Sequence, residues 1–411
     1  MKFLSLESRS EQRVGYQQRV KEQNIKRVFD LVRAGKCASR AELVRTMHLS
    51  ATTVSALVDE LNAKGLILEA GPSLTPLPGR RPMKLRLNHA GHQLAIFSLS
   101  RRGVRFHLYD LGCRVLETFF VEHPAGATGK KDFGRDYARL FEDVLLKRSQ
   151  KFDSSSALVI GVSFPGIYLE EEKAFYVETA MDVSISELSM RELEQRLGIP
   201  IFFANVSMCY AYAEKKYLDA SLEPEAETRD LIFINICDGV GAGIVSNGNI
   251  LTGPYNTAGE FGHISIDFHG SPCNCGNRGC LENYVNQNAI LESVARACSE
   301  AHETLPKSFA DLKGIYDRNP AARMVLDEVA EKLGIGIYTM ICATGIRRIV
   351  VGGGIEILGE GFLEHLRNCA SKRHHLTRHM HMSYAHAGAD GDSLGLAHYF
   401  LDKAYSITMH E

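Results

Sequence analysis

Near the start of the chain, apolar residues recur at the spacing of one helix face. Ile25, Val28, Phe29 and Val32 fall at i, i+3, i+4 and i+7, and Gly35 follows as a stop. Ser39-Arg-Ala-Glu42 is a capping box that predicts a second helix, with Leu43, Val44 and Met47 on its apolar side. After a turn at His48-Leu49, Ser50 caps a third helix whose buried stripe is Val54, Leu57, Val58 and Leu61, and Gly65 ends it. Leu66–Glu69 and Met83–Leu87 read as strands joined by a Pro-rich loop from Gly71 to Gly79. Three helices and a hairpin predict a winged helix-turn-helix with its linker over residues 1–88.

From about Gln93 the period changes. Leu94–Leu99 and Val104–Tyr109 read as paired strands, and Ala157–Val162, Ile201–Ala204, Leu231–Ile236 and Ile349–Gly352 as buried ones. Helices fit at Phe133–Lys147, Ser186–Leu197, Tyr210–Leu218, Ala289–Cys298, Ala321–Ala343 and Leu394–Tyr405. Strand and helix in alternation predict an α/β body over residues 89–411, with two lobes around a cleft.

Charge separates the two parts. Residues 1–90 hold 16 Lys/Arg and 8 Asp/Glu, so a net of +8 sits on a chain whose total is −2. A basic amino-terminal unit on an acidic body points to a polyanion met by the first part alone. Ser50, Ala51, Thr52, Thr53 and Ser55 are small and lie at the start of the third helix, where such side chains reach phosphates and base edges in a major groove. Arg80 and Arg81 close the wing loop and suit a narrow, A·T-rich minor groove. The alternative is a helical domain for protein contacts with a solvated basic loop. With 45% hydrophobic and 23% charged residues and no apolar run of membrane length, the chain reads as a soluble protein without membrane insertion. Its first residues lack the apolar core of a secretion signal, and most cysteines are scattered, which suits a reducing cytoplasm.

The densest chemistry lies in Glu260-Phe-Gly-His263 and Cys273-Asn-Cys275-Gly-Asn-Arg-Gly-Cys280-Leu-Glu282. Three thiols and an imidazole so close together supply a full tetrahedron for Zn²⁺, the closed set of a structural site. Gly276 and Gly279 let the loop turn tightly. Unmetallated thiols in a Gly-rich turn are the plainer reading. Glu260, His263 and Glu282 bracket the loop, so a metal there can brace a binding surface.

With Gly239-Val-Gly-Ala-Gly-Ile-Val-Ser-Asn-Gly248, Gly253 and Ala258-Gly-Glu-Phe-Gly-His263 added, the chain resembles the transcriptional regulators of the ROK family (repressors, uncharacterised reading frames and sugar kinases) over nearly its whole length. The resemblance implies a two-lobed actin-like (ribonuclease H-like ATPase) fold, a sugar-binding cleft and a homodimer or homotetramer. It assigns sugar contacts to Gly166, Asn205, Glu260, His263 and Glu282, and metal ligation to His263, Cys273, Cys275 and Cys280 within a zinc loop at 263–280. His263 would then use one ring nitrogen for zinc and the other for a hydroxyl. Glu260 and Glu282 can instead serve only to support the metal loop.

Three departures weigh against a kinase. The family's general base is the Asp of an Asn-Asp pair, and here Asn205 is followed by Val206, which has no titratable group. The first-strand motif resembling Asp-x-Gly-x-Thr reads Ser98-Leu-Ser-Arg-Arg102, and the Gly-Thr-Gly phosphate turn reads Cys237-Asp238-Gly239. A carboxylate aimed at that turn repels phosphate. The expectation is a cytoplasmic DNA-binding repressor of carbohydrate-related genes, not an enzyme, that binds an inverted-repeat operator and answers to a sugar or sugar-phosphate effector. A kinase with an appended DNA-binding domain, and a regulator driven by a transport-protein partner, are the alternatives.

Overall fold

A computed structural model describes residues 16–72, 83–123, 140, 143–145, 147, 157–169, 174–177, 183–184, 198–220, 230–253, 256–372 and 375–408. The helices expected near Phe133–Lys147 and over Ser186–Leu197 lie largely or wholly outside these residues, as do Arg80 and Arg81.

Capping chemistry and apolar stripes set the first unit. Helix α1 (Tyr16–Arg33) buries Ile25, Val28, Phe29 and Val32. At the start of α2 (Arg40–Met47) the Glu42 N–H donates to Ser39 Oγ at 3.3 Å. The Glu42 carboxylate reaches back to the Ala38 N–H, one residue before the cap, at 2.6 Å. His48, with φ of 55°, makes the turn into α3 (Ala51–Ala63), whose Thr53 N–H is capped by Ser50 Oγ at 3.1 Å. Val54, Leu57, Val58 and Leu61 are all buried. Strand β1 (Ile67–Pro72) pairs antiparallel with β2 (Met83–Leu87), and the Leu85 N–H donates to Ala38 O at 2.8 Å, which seats the hairpin on the start of α2.

The body holds two five-stranded sheets of one topology. In the first, Gln93–Ser100 is flanked by an antiparallel meander (Gly103–Asp110, then Val115–Glu122) on one side and by parallel Ala157–Phe164 and Ile201–Asn205 on the other. In the second, Leu231–Ile236 is flanked by the meander Val240–Ser246 and Asn249–Ile250 and by parallel Arg348–Gly352 and His381–Tyr384. The repeated order is what gives the body two lobes. The long helix Pro320–Thr344 packs on Glu360–Ser371 in the second lobe. Helix Val206–Ala220 packs on the carboxy-terminal helix Gly391–Thr408 between the sheets.

Some elements differ from the sequence expectation. Val115–Glu122 is an edge strand exposed at most positions, so its apolar residues show no alternation to read. Val240–Ser246, to which the sequence pattern assigned no element, is a paired strand. The helix expected from Tyr210 starts at Val206, immediately after the strand that ends in Asn205. The amphipathic helix Glu360–Ser371 went unread from sequence.

Candidate functional site

The metal-type cluster is assembled by a small irregular hairpin. Ile266 N–H donates to Gly279 O at 2.9 Å, Leu281 N–H to Ile264 O at 3.0 Å and Cys273 N–H to Asn277 O at 2.8 Å. Gly279 has φ of 62°, and a Cβ there would lie 1.6 Å from Asp267 O, so the hairpin closes only with glycine at this position. The result brings one ligand atom each from His263, Cys273, Cys275 and Cys280 within 4.8 Å of one another. Cys275 Sγ lies 3.6 Å from Cys280 Sγ, and Cys273 Sγ lies 3.7 Å from His263 Nδ1. A tetrahedral ion with metal–sulfur bonds of about 2.3 Å needs ligand atoms roughly 3.7 Å apart. The four residues could therefore hold a metal ion as they stand. The pairing selects Nδ1 as the ligand nitrogen of His263, which leaves Nε2 toward Glu260 Oε2 at 3.9 Å.

Glu282 opens the short helix Glu282–Val285 and is buried. Its Oε2 accepts the Val240 N–H at 2.8 Å, which ties the Cys-rich hairpin to the first residue of the adjacent strand. Burial raises the Glu282 carboxyl above the usual range, against the pull of that N–H and of His263.

On the first lobe, the Asn205 side-chain amide donates to Gly166 O at 3.0 Å, and its Oδ1 accepts the Ser207 N–H at 2.8 Å. Asn205 therefore joins the Pro-Gly turn to the start of helix Val206–Ala220. The two lobes meet beside it, because a Cβ on Gly241 would lie 2.7 Å from Ser207 Oγ. Gly166 and Asn205 thus form one group on the first lobe, and Glu260, His263 and Glu282 lie together on the second, beside the strand that carries Gly241. Val206 is half-buried at this junction and offers only a methyl-bearing side chain.

Sequence spacing gave no sign of how the turns after the two central strands of the second lobe are held. Gln287 Nε2 donates to Gly353 O at 2.6 Å and to Ile236 O at 3.1 Å, and Glu356 Oε2 accepts the Gly354 N–H at 2.9 Å. Burial pushes the Cys237 thiol up to about 11, so it is neutral at pH 7. No short-range pattern links Gln287 to a turn 51 positions earlier.

At the amino-terminal unit, Ser50, Ala51, Thr52 and Thr53 are exposed and Ser55 is half-buried on α3. Ser50 Oγ also meets Thr52 and Thr53 Oγ1, each at 2.8 Å. Arg40, at the start of α2, donates to Glu69 at 2.7 Å, to Asp59 at 2.5 Å and to Ser55 O at 3.1 Å, which locks α2, α3 and the hairpin together. Sequence spacing gave no sign of this clamp.

Fold and site define a class: a two-lobed body of sugar-kinase type that carries, on its first lobe, a helical unit of the kind that binds DNA. The chain belongs to the ROK family, whose profile matches residues 142–402. The xylose repressor of Caldicellulosiruptor bescii is 28% identical over 358 residues, covering 84% of this chain and 86% of that protein. A glucokinase of Halalkalibacterium halodurans is 31% identical over 256 residues, covering 58% of this chain and 75% of its own. A crystal structure described as a ROK family transcriptional regulator, homologue of the E. coli MLC protein, superposes with a TM-score of 0.76 at 24% identity, over 95% of this chain and 98% of that one.

Proposed function

We propose that the chain is a DNA-binding transcriptional repressor of sugar-related genes whose kinase-type cleft senses a sugar or sugar phosphate. The observation that carries this reading is the helix-turn-helix unit seated on a kinase-type body. Its relatives support it: the xylose repressor matches across both parts, the glucokinase only over 58% of the chain. Exposed Ser50, Thr52 and Thr53, with Ser55 behind them, would approach the major groove, and Arg80 and Arg81 the minor groove. Gly166, Asn205, Glu260, His263 and Glu282 would receive the sugar. Zn²⁺ held by His263, Cys273, Cys275 and Cys280 would have no catalytic part. It would fix the hairpin that presents Glu260 and Glu282 to the cleft.

Catalysis is set aside on chemical grounds. Val206 cannot take a proton from a hydroxyl. Asp238 stands where the family's phosphate turn would lie, and its carboxylate would repel a phosphate there. A dimer or tetramer presenting two copies of α3 calls for an inverted repeat with half-sites one or more helical turns apart. Selection of the full chain against random duplexes at moderate salt tests this: a reproducible inverted repeat supports the reading, and no enriched motif overturns it. The glucokinase likeness favours one second reading, a sugar kinase. ATP turnover above background with any member of a sugar panel would support that reading in its place.

A further inference from the structure

We infer that Asp402 is the positioning residue through which the cleft sets the placement of the DNA-binding unit; the inference rests on the regulatory reading above. Helix Val206–Ala220 begins beside Asn205 and runs 15 residues, about 22 Å, away from the cleft. It is gripped on both sides. A Cβ on Gly243 of the second lobe would lie 2.1 Å from Ser207 O, and one on Gly395 of the carboxy-terminal helix 1.9 Å from Cys209 O. Backbones in such direct contact pass a displacement on instead of absorbing it in side-chain rotamers.

The far half of this helix makes two polar connections. Buried Glu214 accepts the N–H groups of His386 and Ala387 at 2.7 and 2.9 Å and meets the His386 ring at 3.0 Å, which holds the loop leading from the second lobe into the carboxy-terminal helix. Tyr212 and Lys216 both converge on Oδ2 of Asp402 in that last helix. The other oxygen, Oδ1, accepts from Arg33 Nη2 at 2.6 Å, and Arg33 is the final residue of α1. One carboxylate, 8% exposed, therefore joins the cleft helix, the carboxy-terminal helix and the DNA-binding unit. A shift of the cleft helix moves Tyr212 and Lys216, and Asp402 must follow or lose them. Arg33 and α1 are then carried with it.

Coupling between two sites is reciprocal, so DNA can stand in for an unidentified effector. The test measures amide hydrogen exchange at Ser207 and across Tyr210–Lys216 in the full chain, with and without its selected duplex. DNA is expected to change these rates by roughly fivefold or more in the wild type. In Asp402→Asn the change should vanish while the duplex is still bound. Arg33→Met, which leaves Asp402 with Lys216 and Tyr212, should behave the same way and serves if the first variant does not fold. Exchange changes that persist in both variants, or that never occur in the wild type despite DNA binding, overturn the inference. A wild-type chain that binds no duplex overturns the regulatory reading and this inference with it.

Discussion

Replacing Cys280 by Ser tests the proposed metal centre at its most enclosed thiol, which is 0% exposed and has Cys275 Sγ 3.6 Å away. Thiols bind zinc as thiolates, and burial raises the Cys273 and Cys280 thiols above their ordinary range, so they carry their protons at pH 7 until a metal displaces them. Three cysteine ligands therefore release about three protons per zinc bound, and three at most. Titration calorimetry of the zinc-stripped chain, repeated at pH 7 in buffers of different ionisation enthalpy, counts them. The wild type should give about three protons and one zinc per chain. Cys280→Ser should give about two, with a much weaker affinity. At free zinc a thousandfold above Kd, binding adds about 4 kcal/mol to the stability of the folded chain, which a chelator removes. The hairpin's own backbone hydrogen bonds, such as Gly279 N–H to Ser271 O at 2.8 Å, should keep the loop partly ordered without metal, so the lobe should remain folded. A proton count near zero, or an unchanged count in Cys280→Ser, would refute the assigned ligand set.

Glu282→Gln keeps an acceptor for the Val240 N–H, whereas Glu282→Ala leaves that buried donor unpaired; urea unfolding should show the alanine variant less stable by about 1–3 kcal/mol and the glutamine variant close to wild type. Arg40→Ala removes bonds to Glu69, Asp59 and Ser55 O and should lower the melting point of the DNA-binding unit and weaken every duplex alike, checked by near-ultraviolet dichroism and anisotropy. Burial would raise the Asp402 carboxyl, but Lys216 and Arg33 outweigh it and bring it down to about 2. A depressed carboxyl stabilises the fold above its unfolded value and loses that contribution as pH falls, here between about 4 and 2. Asp402→Asn should already lack this contribution, on the order of 2 kcal/mol, at pH 7, and equal melting points for the two proteins at that pH would argue against it.

What could be read in advance was set by separation along the chain. Ser39 and Ser50 declare their helices because a cap acts over three residues, and the cluster that could hold a metal is legible because its four residues all fall within 263–280. Asn205 and Gly166, 39 positions apart, came together through the family resemblance and not through any pattern in the chain. The Arg33–Asp402 pair spans 369 positions, and each residue alone looks like an ordinary surface charge. Val240–Ser246 was obscured because Gly241 and Gly243, which let helix Val206–Ala220 approach, also erase the side-chain alternation that marks a strand.

The most direct measurement is an anisotropy titration of the full chain on its selected duplex, repeated with D-xylose, D-glucose, N-acetyl-D-glucosamine and their phosphates. Tight binding of the duplex is expected without sugar, and a weakening of roughly fivefold or more with at least one member of the panel. Binding that no sugar alters, or no binding to any duplex, would contradict the proposed function.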